Sequence, residues 1–447
     1  MRDWIAKAAA IGALGLCMAQ PVVAGHLAAY VVLGPEGKAI VRVLAEPGQS
    51  CPSLEIEHQP VPMTPRAEPA ASPSGGSHPS TFPVLVCELA LPHSVRQVLL
   101  EGKSLPLPVR PARRIVVLGD SGCRMKWPAS FQDCSDPARW PFSRIARSAA
   151  ADRPDLVIHV GDYHYRESRC LAGGCSGSPY GYGWDAWKTD FFEPASPLLQ
   201  AAPWVMARGN HESCKRAGQG WFRFLDAHRY DAAHACDGGP PYAEDFSQPF
   251  AVPLGEGHQL IVFDSAAASG SVEAVRESAT RVYASQWAEV ARLAAQQPFN
   301  WLVLHHPLLG YGYQPLAGYF TDSGTAGAAL LDLHFPDLLP SNIQLVLQGH
   351  IHTFEISRFQ GNLPVSLLAG FAGSTLESGF PEGFPQSLAA LPGVRLAQSW
   401  HSQVFGYVLL EQQEKGWVLY EKNPDGDILR QCTLALGKPP YALSCKP

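Results

Sequence analysis

Between residues 114 and 370 one pattern recurs: a short, β-branched apolar run that ends in polar residues. The runs are IVVLGDSG, LVIHVGDY, WVMARGNHE, LIVFDS, WLVLHHP, QLVLQGHIH and VSLLAG. Their length and composition predict buried strands. Helical patterns fall between several of them. In the segment from Ser285 to Gln296, Ser285 reads as a cap, and Trp287, Val290, Ala291 and Ala294 share one face. Strands alternating with helices predict an α/β layered domain. Ligands in such folds gather at the carboxyl ends of strands.

Those ends carry Asp120, Asp162, Asn210, His305 with His306, and His350 with His352. All are oxygen or nitrogen donors suited to Zn, Mn or Fe. Alone, each has an ordinary reading: turn chemistry for Asp120, Asp162 and Asn210, a satisfied core pair for His305 and His306. Together, at successive strand ends, they point to a metal centre. In GHIH the two histidines alternate along an extended segment, so they suit two adjacent metals better than one.

Outside this region, residues 26–110 show short β-like runs broken by a Pro/Ser/Gly-rich stretch, Pro60 to Pro83. They read as a small β domain, residues 25–110, preceding a catalytic domain at 111–447. The N-terminus reads as a secretory signal, residues 1–24. Arg2 and Lys7 precede an apolar run from Ala8 to Ala19 that is shorter than the about 20 residues a membrane helix needs. Leu16 before Cys17 disfavours lipidation. The formal charge of −6 shows no basic stripe, which disfavours a nucleic-acid partner, and no later run is long enough for stable membrane insertion. Beyond Cys17, ten cysteines remain, an even number that suits an exported, disulfide-bonded protein. Because short loops close at the lowest entropic cost, neighbour pairing is expected: Cys51–Cys87, Cys123–Cys134, Cys170–Cys175, Cys214–Cys236 and Cys432–Cys445.

The order of the blocks Asp120-Ser121-Gly122, Gly161-Asp162-Tyr163-His164-Tyr165, Gly209-Asn210-His211-Glu212, His305-His306-Pro307 and Gly349-His350-Ile351-His352 resembles the calcineurin-like metallophosphoesterases, most closely their purple acid phosphatase branch. The resemblance spans about residues 114–355 and implies a four-layer α/β/β/α sandwich. It also implies a dinuclear site. Asp120, Asp162, Tyr165 and His352 would hold one metal, and Asp162 as bridge, Asn210, His305 and His350 the other. Most of the superfamily carries a histidine where this chain has Gly122; the purple branch places a tyrosine there instead, which is Tyr165. A phenol of pKa near 10 binds as phenolate only to a strongly charged ion, so Fe(III) is expected beside Tyr165, with Zn, Mn or Fe(II) as its neighbour. Val303 favours His306 as the ligand; the His-x-Pro spacing favours His305, which is chosen, leaving His306 to contact phosphate. His211 is expected to bind substrate and to protonate the leaving oxygen, with Glu212 orienting it.

The implied activity is exported hydrolysis of phosphate monoesters on a small substrate, by attack of hydroxide held by the metals. The alternatives are a phosphodiesterase of the same fold and a non-catalytic, metal-bearing protein that binds a phosphorylated ligand. Two aromatic groups, Tyr180, Tyr182, Trp184 and Trp187, and Tyr311, Tyr313 and Tyr319, read as packing under long loops more readily than as a substrate wall.

Overall fold

The computed structural model describes residues 26–70, 80–128, 130–236, 245–269, 273–316, 318–335, 337–381, 389–414 and 416–446. The expected signal segment and Cys17 lie outside the described residues, as does part of the Pro/Ser-rich stretch.

Two large sheets build the molecule. The N-terminal strands are β1 (His26–Leu33), β2 (Ala39–Ala45), β3 (Thr64–Ala67) and β4 (Leu85–Ala90). Next come β5 (Arg114–Leu118), β6 (Leu156–His159) and β7 (Trp204–Met206). A second group comprises β8 (Phe250–Gly255), β9 (His258–Val262), β10 (Phe299–Val303), β11 (Ile343–Gln348), β12 (Phe354–Phe359), β13 (Val365–Ala369) and β14 (Leu396–Ser402). The chain closes with β15 (Tyr407–Gln413), β16 (Gly416–Lys422), β17 (Ile428–Ala435) and β18 (Ala442–Lys446). One sheet has eleven strands in the order β18-β17-β16-β15-β5-β6-β7-β1-β2-β4-β3, the other seven in the order β8-β9-β10-β11-β13-β12-β14. Each of the seven predicted runs therefore contains a strand or the end of one, and its closing residues follow the strand.

Alternation along the strands explains how the sheets stack. In β10, Trp301 and Val303 join the core shared with the large sheet, whereas Leu302, and Leu304 just past the strand, face the opposite core. Trp301 meets Trp417 of the large sheet edge-on, ring centroids 4.7 Å apart. Helices α1 (Phe142–Ala151) and α2 (Glu193–Leu199) pack with the large sheet; α3 (Glu273–Ala294) and α4 (Gly324–Asp332) cover the smaller one. Period-two burial on both sheet faces is what a sandwich with outer helices requires.

Two expectations change. Ser285 lies inside α3 and its hydroxyl donates to the Val282 carbonyl, so it caps nothing; the helix starts earlier, at Glu273. The N-terminal β segment is not set apart as a unit: β1 runs parallel to β7, with Val32 opposite Trp204, so β1 to β4 extend the large sheet. Only the four-stranded sheet built from Ser53–Ile56, Gln59–Pro62, Val98–Leu100 and Lys103–Ser104 stands separately within residues 25–110. All five neighbouring cysteine pairs are joined as disulfides.

Parallel pairing then fixes the site. Leu118 of β5 lies opposite His159 of β6, and His159 opposite Met206 of β7; in the other sheet Val303 of β10 lies opposite Leu347 of β11. The carboxyl ends of five strands thus open toward one edge.

Candidate metal centre

Tyr165 stands at the middle of the first cluster. Its Oη lies 2.8 Å from Asp120 Oδ1, 2.8 Å from Asp162 Oδ2 and 2.8 Å from His352 Nε2. The phenol is fully buried. Burial first, and then the charges of Asp120 and Asp162, hold its hydroxyl well above the usual phenol range. Only a strongly charged cation in contact with the oxygen would draw that proton off. Two carboxylates, a phenol and an imidazole with a free Nε2 are a donor set that such a cation fits.

Asp162 leads to the second cluster. His305 Nε2 is 3.2 Å from Asp162 Oδ2 and 3.1 Å from Asn210 Oδ1; His350 Nδ1 is 2.9 Å from the same Asn210 oxygen. Ligand atoms of Asp162, His305 and His350 lie within 4.8 Å of one another. His350 and His352 face different clusters, one toward Asn210 and the other toward Tyr165.

Backbone carbonyls set the tautomers. His305 donates Nδ1–H to the Val160 carbonyl at 2.9 Å, and His352 donates Nδ1–H to that of Thr375 at 2.7 Å, which turns each Nε2 inward. Burial disfavours charge on His305, but the Asp162 carboxylate raises its imidazole to about 9. Asp120, Asp162 and His350 have φ of 54°, 57° and 71°, a left-handed conformation that non-glycine residues adopt at a cost and that clusters at functional sites.

The supports around these side chains include several that sequence reasoning missed. Asp190, on the helical turn Lys188–Phe192, accepts the Tyr165 N–H at 2.6 Å and the Cys123 N–H at 2.8 Å, and pairs with Arg166 at 2.8 Å. A Cβ at Gly122 would come within 2.6 Å of Asp190 and 2.8 Å of the Tyr163 carbonyl. A histidine therefore has no room at position 122, and Tyr165 fills the space between the donors instead. On the far side, His350 Nε2 meets Asp322 Oδ2 at 2.9 Å, a carboxylate partner of the kind that orients a ligating imidazole. No local signal marks Asp190 or Asp322; each reaches the site through tertiary packing.

Glu212 differs from its expected role. Its carboxylate accepts the N–H groups of Asp162, Tyr163, His164 and Gly209 at 2.9–3.2 Å, so it clamps the loop that carries Asp162 and does not touch the His211 ring. Burial and the neighbouring Asp162 charge push its carboxyl up to about 8, against those four amides, which favour the anion. His211 has other partners: it donates from Nδ1 to the His164 carbonyl at 3.1 Å, and Glu167 Oε1 lies 3.2 Å away. Arg216 Nη2 lies 2.6 and 2.7 Å from the two ring nitrogens of His211, and Arg216 is paired with Glu167. Burial, then Arg216, lowers the imidazole to about 4. The ring lies against Tyr165, centroids 3.8 Å apart.

His306 is fully buried, stacked on His350 at 4.3 Å with its Nε2 2.6 Å from Ser269 Oγ. It supports His350 from behind and has no open face toward a phosphate. Of the aromatic loops, Trp184, Trp187 and Tyr311 are buried packing, while Tyr313 and Tyr319 pair at 5.1 Å on the hairpin Gly312–Gln314 and Gly318–Phe320, with neither ring fully buried.

A family model described as calcineurin-like phosphoesterase matches residues 113–354. Among solved structures the chain is similar to the purple acid phosphatase PPD1 from yellow lupin (Lupinus luteus) seeds, at 15% identity and a TM-score of 0.53, over 91% of this chain and 73% of that one. It is similar as well to PhoD, at 13% identity and a TM-score of 0.49, over 94% and 88% of the two chains. A third is GAP50, the anchor in the inner membrane complex of Plasmodium, at 15% identity and a TM-score of 0.41, over 73% and 89%. At this identity the lupin enzyme's likeness shows a common fold. No curated protein matches the chain. Because the family match covers more than half of the chain, and runs from just before Asp120 to just past His352, the protein belongs to the calcineurin-like phosphoesterase family.

Proposed function

We propose that the protein is an exported phosphomonoesterase of purple acid phosphatase type, with one metal held by Asp120, Asp162, Tyr165 and His352 and a second by Asp162, Asn210, His305 and His350. The observation that carries this reading is the Tyr165 hydroxyl, 2.8 Å from three other donors, beside a Gly122 that cannot be a histidine. Fe(III) is assigned to the tyrosine side, and Zn, Mn or Fe(II) to the other. Bound there, the pair would supply charge neutralisation and an activated water.

The chain's own residues do the rest. Asp162 lies between the clusters and fixes their spacing, itself held by Glu212 through its N–H and by the His211 N–H on Oδ1 at 2.9 Å. Arg216, seated on His211 beside Tyr165, offsets charge on a leaving oxygen, and the neutral His211 ring positions it. Export is supported by the five disulfides. Among the described residues no helix is long and apolar enough to cross a membrane.

Assay of the metal-loaded protein on p-nitrophenyl phosphate and bis-p-nitrophenyl phosphate tests the assignment. The monoester should be the better substrate by kcat/KM. Preference for the diester would make the protein a phosphodiesterase, and absence of turnover on either, across metals and pH, would leave a binding protein.

A further inference from the structure

The run LIVFDS ends a strand as the other runs do, yet the metal assignment gives its polar end, Asp264 and Ser265, no role. Ser265 is fully buried just past β9. Its Oγ accepts the His305 N–H at 3.2 Å and the His306 N–H at 2.9 Å, which occupies both of its lone pairs. Its own proton is then left to donate, and among the described residues the acceptor in reach is His306 Nδ1, 3.4 Å away. With Nδ1 an acceptor, the ring proton of His306 sits on Nε2. Nε2–H donates to Ser269 Oγ at 2.6 Å. Ser269 therefore keeps its own O–H for another partner. It is exposed, and among the described residues its side chain has no second hydrogen bond.

The loop that carries Ser269 is firmly held. Asp264 Oδ1 accepts the Ala266 N–H at 2.8 Å, and the Ser265 carbonyl accepts the Ala268 N–H at 2.9 Å. The Ala268 carbonyl takes the Thr325 N–H at 3.0 Å and the Thr325 hydroxyl at 2.9 Å. The loop thus lies against the start of α4, next to the segment that carries Asp322. Because His306 stacks on His350 with ring centroids 4.3 Å apart, Ser269 stands one imidazole away from the histidine half of the centre. Asp322, also on this half, is an anion and repels a phosphate, whereas Ser269 offers a donor on a fixed backbone.

We propose that Ser269 contacts the substrate: its hydroxyl donates to a phosphoryl oxygen on the histidine half, and His306, oriented by Ser265, is the positioning residue that turns that hydroxyl outward. The proposal rests on the phosphatase reading above and adds a donor supplied by the chain itself. The phosphate contact expected of His306 thus passes to the residue that His306 holds. Ser269 makes and breaks no covalent bond; it binds one oxygen of the phosphoryl group and fixes its orientation.

Binding of inorganic phosphate to the metal-loaded protein, measured by calorimetry, tests this in the wild type, Ser269→Ala, Ser269→Thr, His306→Phe and the double variant Ser269→Ala/His306→Phe. Ser269→Ala should weaken phosphate about tenfold, the range for loss of one hydrogen bond to a charged group, with both metals retained on elemental analysis. Ser269→Thr keeps a hydroxyl and should bind within about threefold of the wild type. His306→Phe keeps a ring against His350 and should weaken phosphate about threefold, as for loss of a neutral hydrogen bond. The double variant should bind no more weakly than Ser269→Ala, because His306 acts through Ser269. Phosphate affinity unchanged within about twofold in metal-retaining Ser269→Ala would overturn the contact. Additive losses in the double variant would overturn the positioning role of His306. A wild type that hydrolyses no phosphate ester would overturn the phosphatase reading alone, since the binding measurement still decides the contact.

Discussion

The two halves of the centre are built differently. On the tyrosine side Asp120, Asp162, Tyr165 and His352 are all buried, and the loop that carries Asp162 and Tyr165 is pinned through backbone N–H groups by Asp190 and Glu212. On the histidine side His350 is 17% exposed, and its partner Asp322, on the segment leading into α4, is 43% exposed. One half is set by core packing and buried charge-assisted hydrogen bonds, the other by a carboxylate reachable by water. Under the proposed assignment Asp162 would bridge a tightly packed donor set and a more water-accessible one. The tyrosine side should keep its metal under conditions that strip the other.

Catalysis gives the largest expected effect. His211 lies against the tyrosine side and is not among the proposed ligands, so His211→Ala should retain both ions. It should lower turnover about 10²–10³-fold on esters with poor leaving groups and less on activated ones, because Arg216 loses its seat beside the leaving oxygen. Steady-state kinetics across a leaving-group series checks this; an equal loss on all esters would make His211 a purely structural part of the tyrosine half.

Asp322→Asn addresses the histidine half alone. Loss of the anionic partner of His350 should weaken the second metal about 10–100-fold, the usual consequence of removing such a support. Metal titration followed by elemental analysis should show the tyrosine-side ion retained. Equal loss of both metals would erase the asymmetry.

A stability effect concerns Glu355, which accepts the Tyr311 N–H at 3.1 Å and the Ser357 hydroxyl at 2.6 Å, on the strand that follows His352. Burial raises its carboxyl to about 8. The folded state thus keeps a proton that the unfolded chain has lost above its own pKa, near 4.5. Stability from this group is full below about pH 4.5 and declines as pH rises toward 8. Glu355→Gln should remove that decline. Its melting temperature relative to wild type should rise between pH 5 and pH 8, by on the order of a few kcal/mol of stability, with both metals retained. A difference independent of pH would contradict the buried neutral acid.

The clustered strand-end side chains are legible in the sequence because their signal is local: an apolar run and then a polar residue, at Asp120, Asp162, Asn210, His305 and His350. The choice of His305 over His306 rested on spacing to Pro307, and the structure places His305 beside Asp162 and His306 behind His350. What escaped was everything supplied by distant packing. Asp190 lies on a helical turn with no motif around it, and Arg216 reaches His211 from just beyond the GNHE block. Glu212 was recognised but misassigned, because sequence adjacency to His211 says nothing of which amides a buried carboxylate will meet. The pairing of β1 with β7 is equally non-local, so the N-terminal strands read as a unit of their own although they finish the large sheet.

The most direct test of the account is the visible spectrum and iron content of natively expressed protein beside Tyr165→Phe. A phenolate on Fe(III) should give a broad visible band in the wild type, with about one tightly held iron per chain. Tyr165→Phe should abolish the band and weaken that iron while folding normally. A colourless, iron-free and fully active wild type would contradict the ferric assignment, and an unchanged spectrum and iron content in Tyr165→Phe would return Tyr165 to packing.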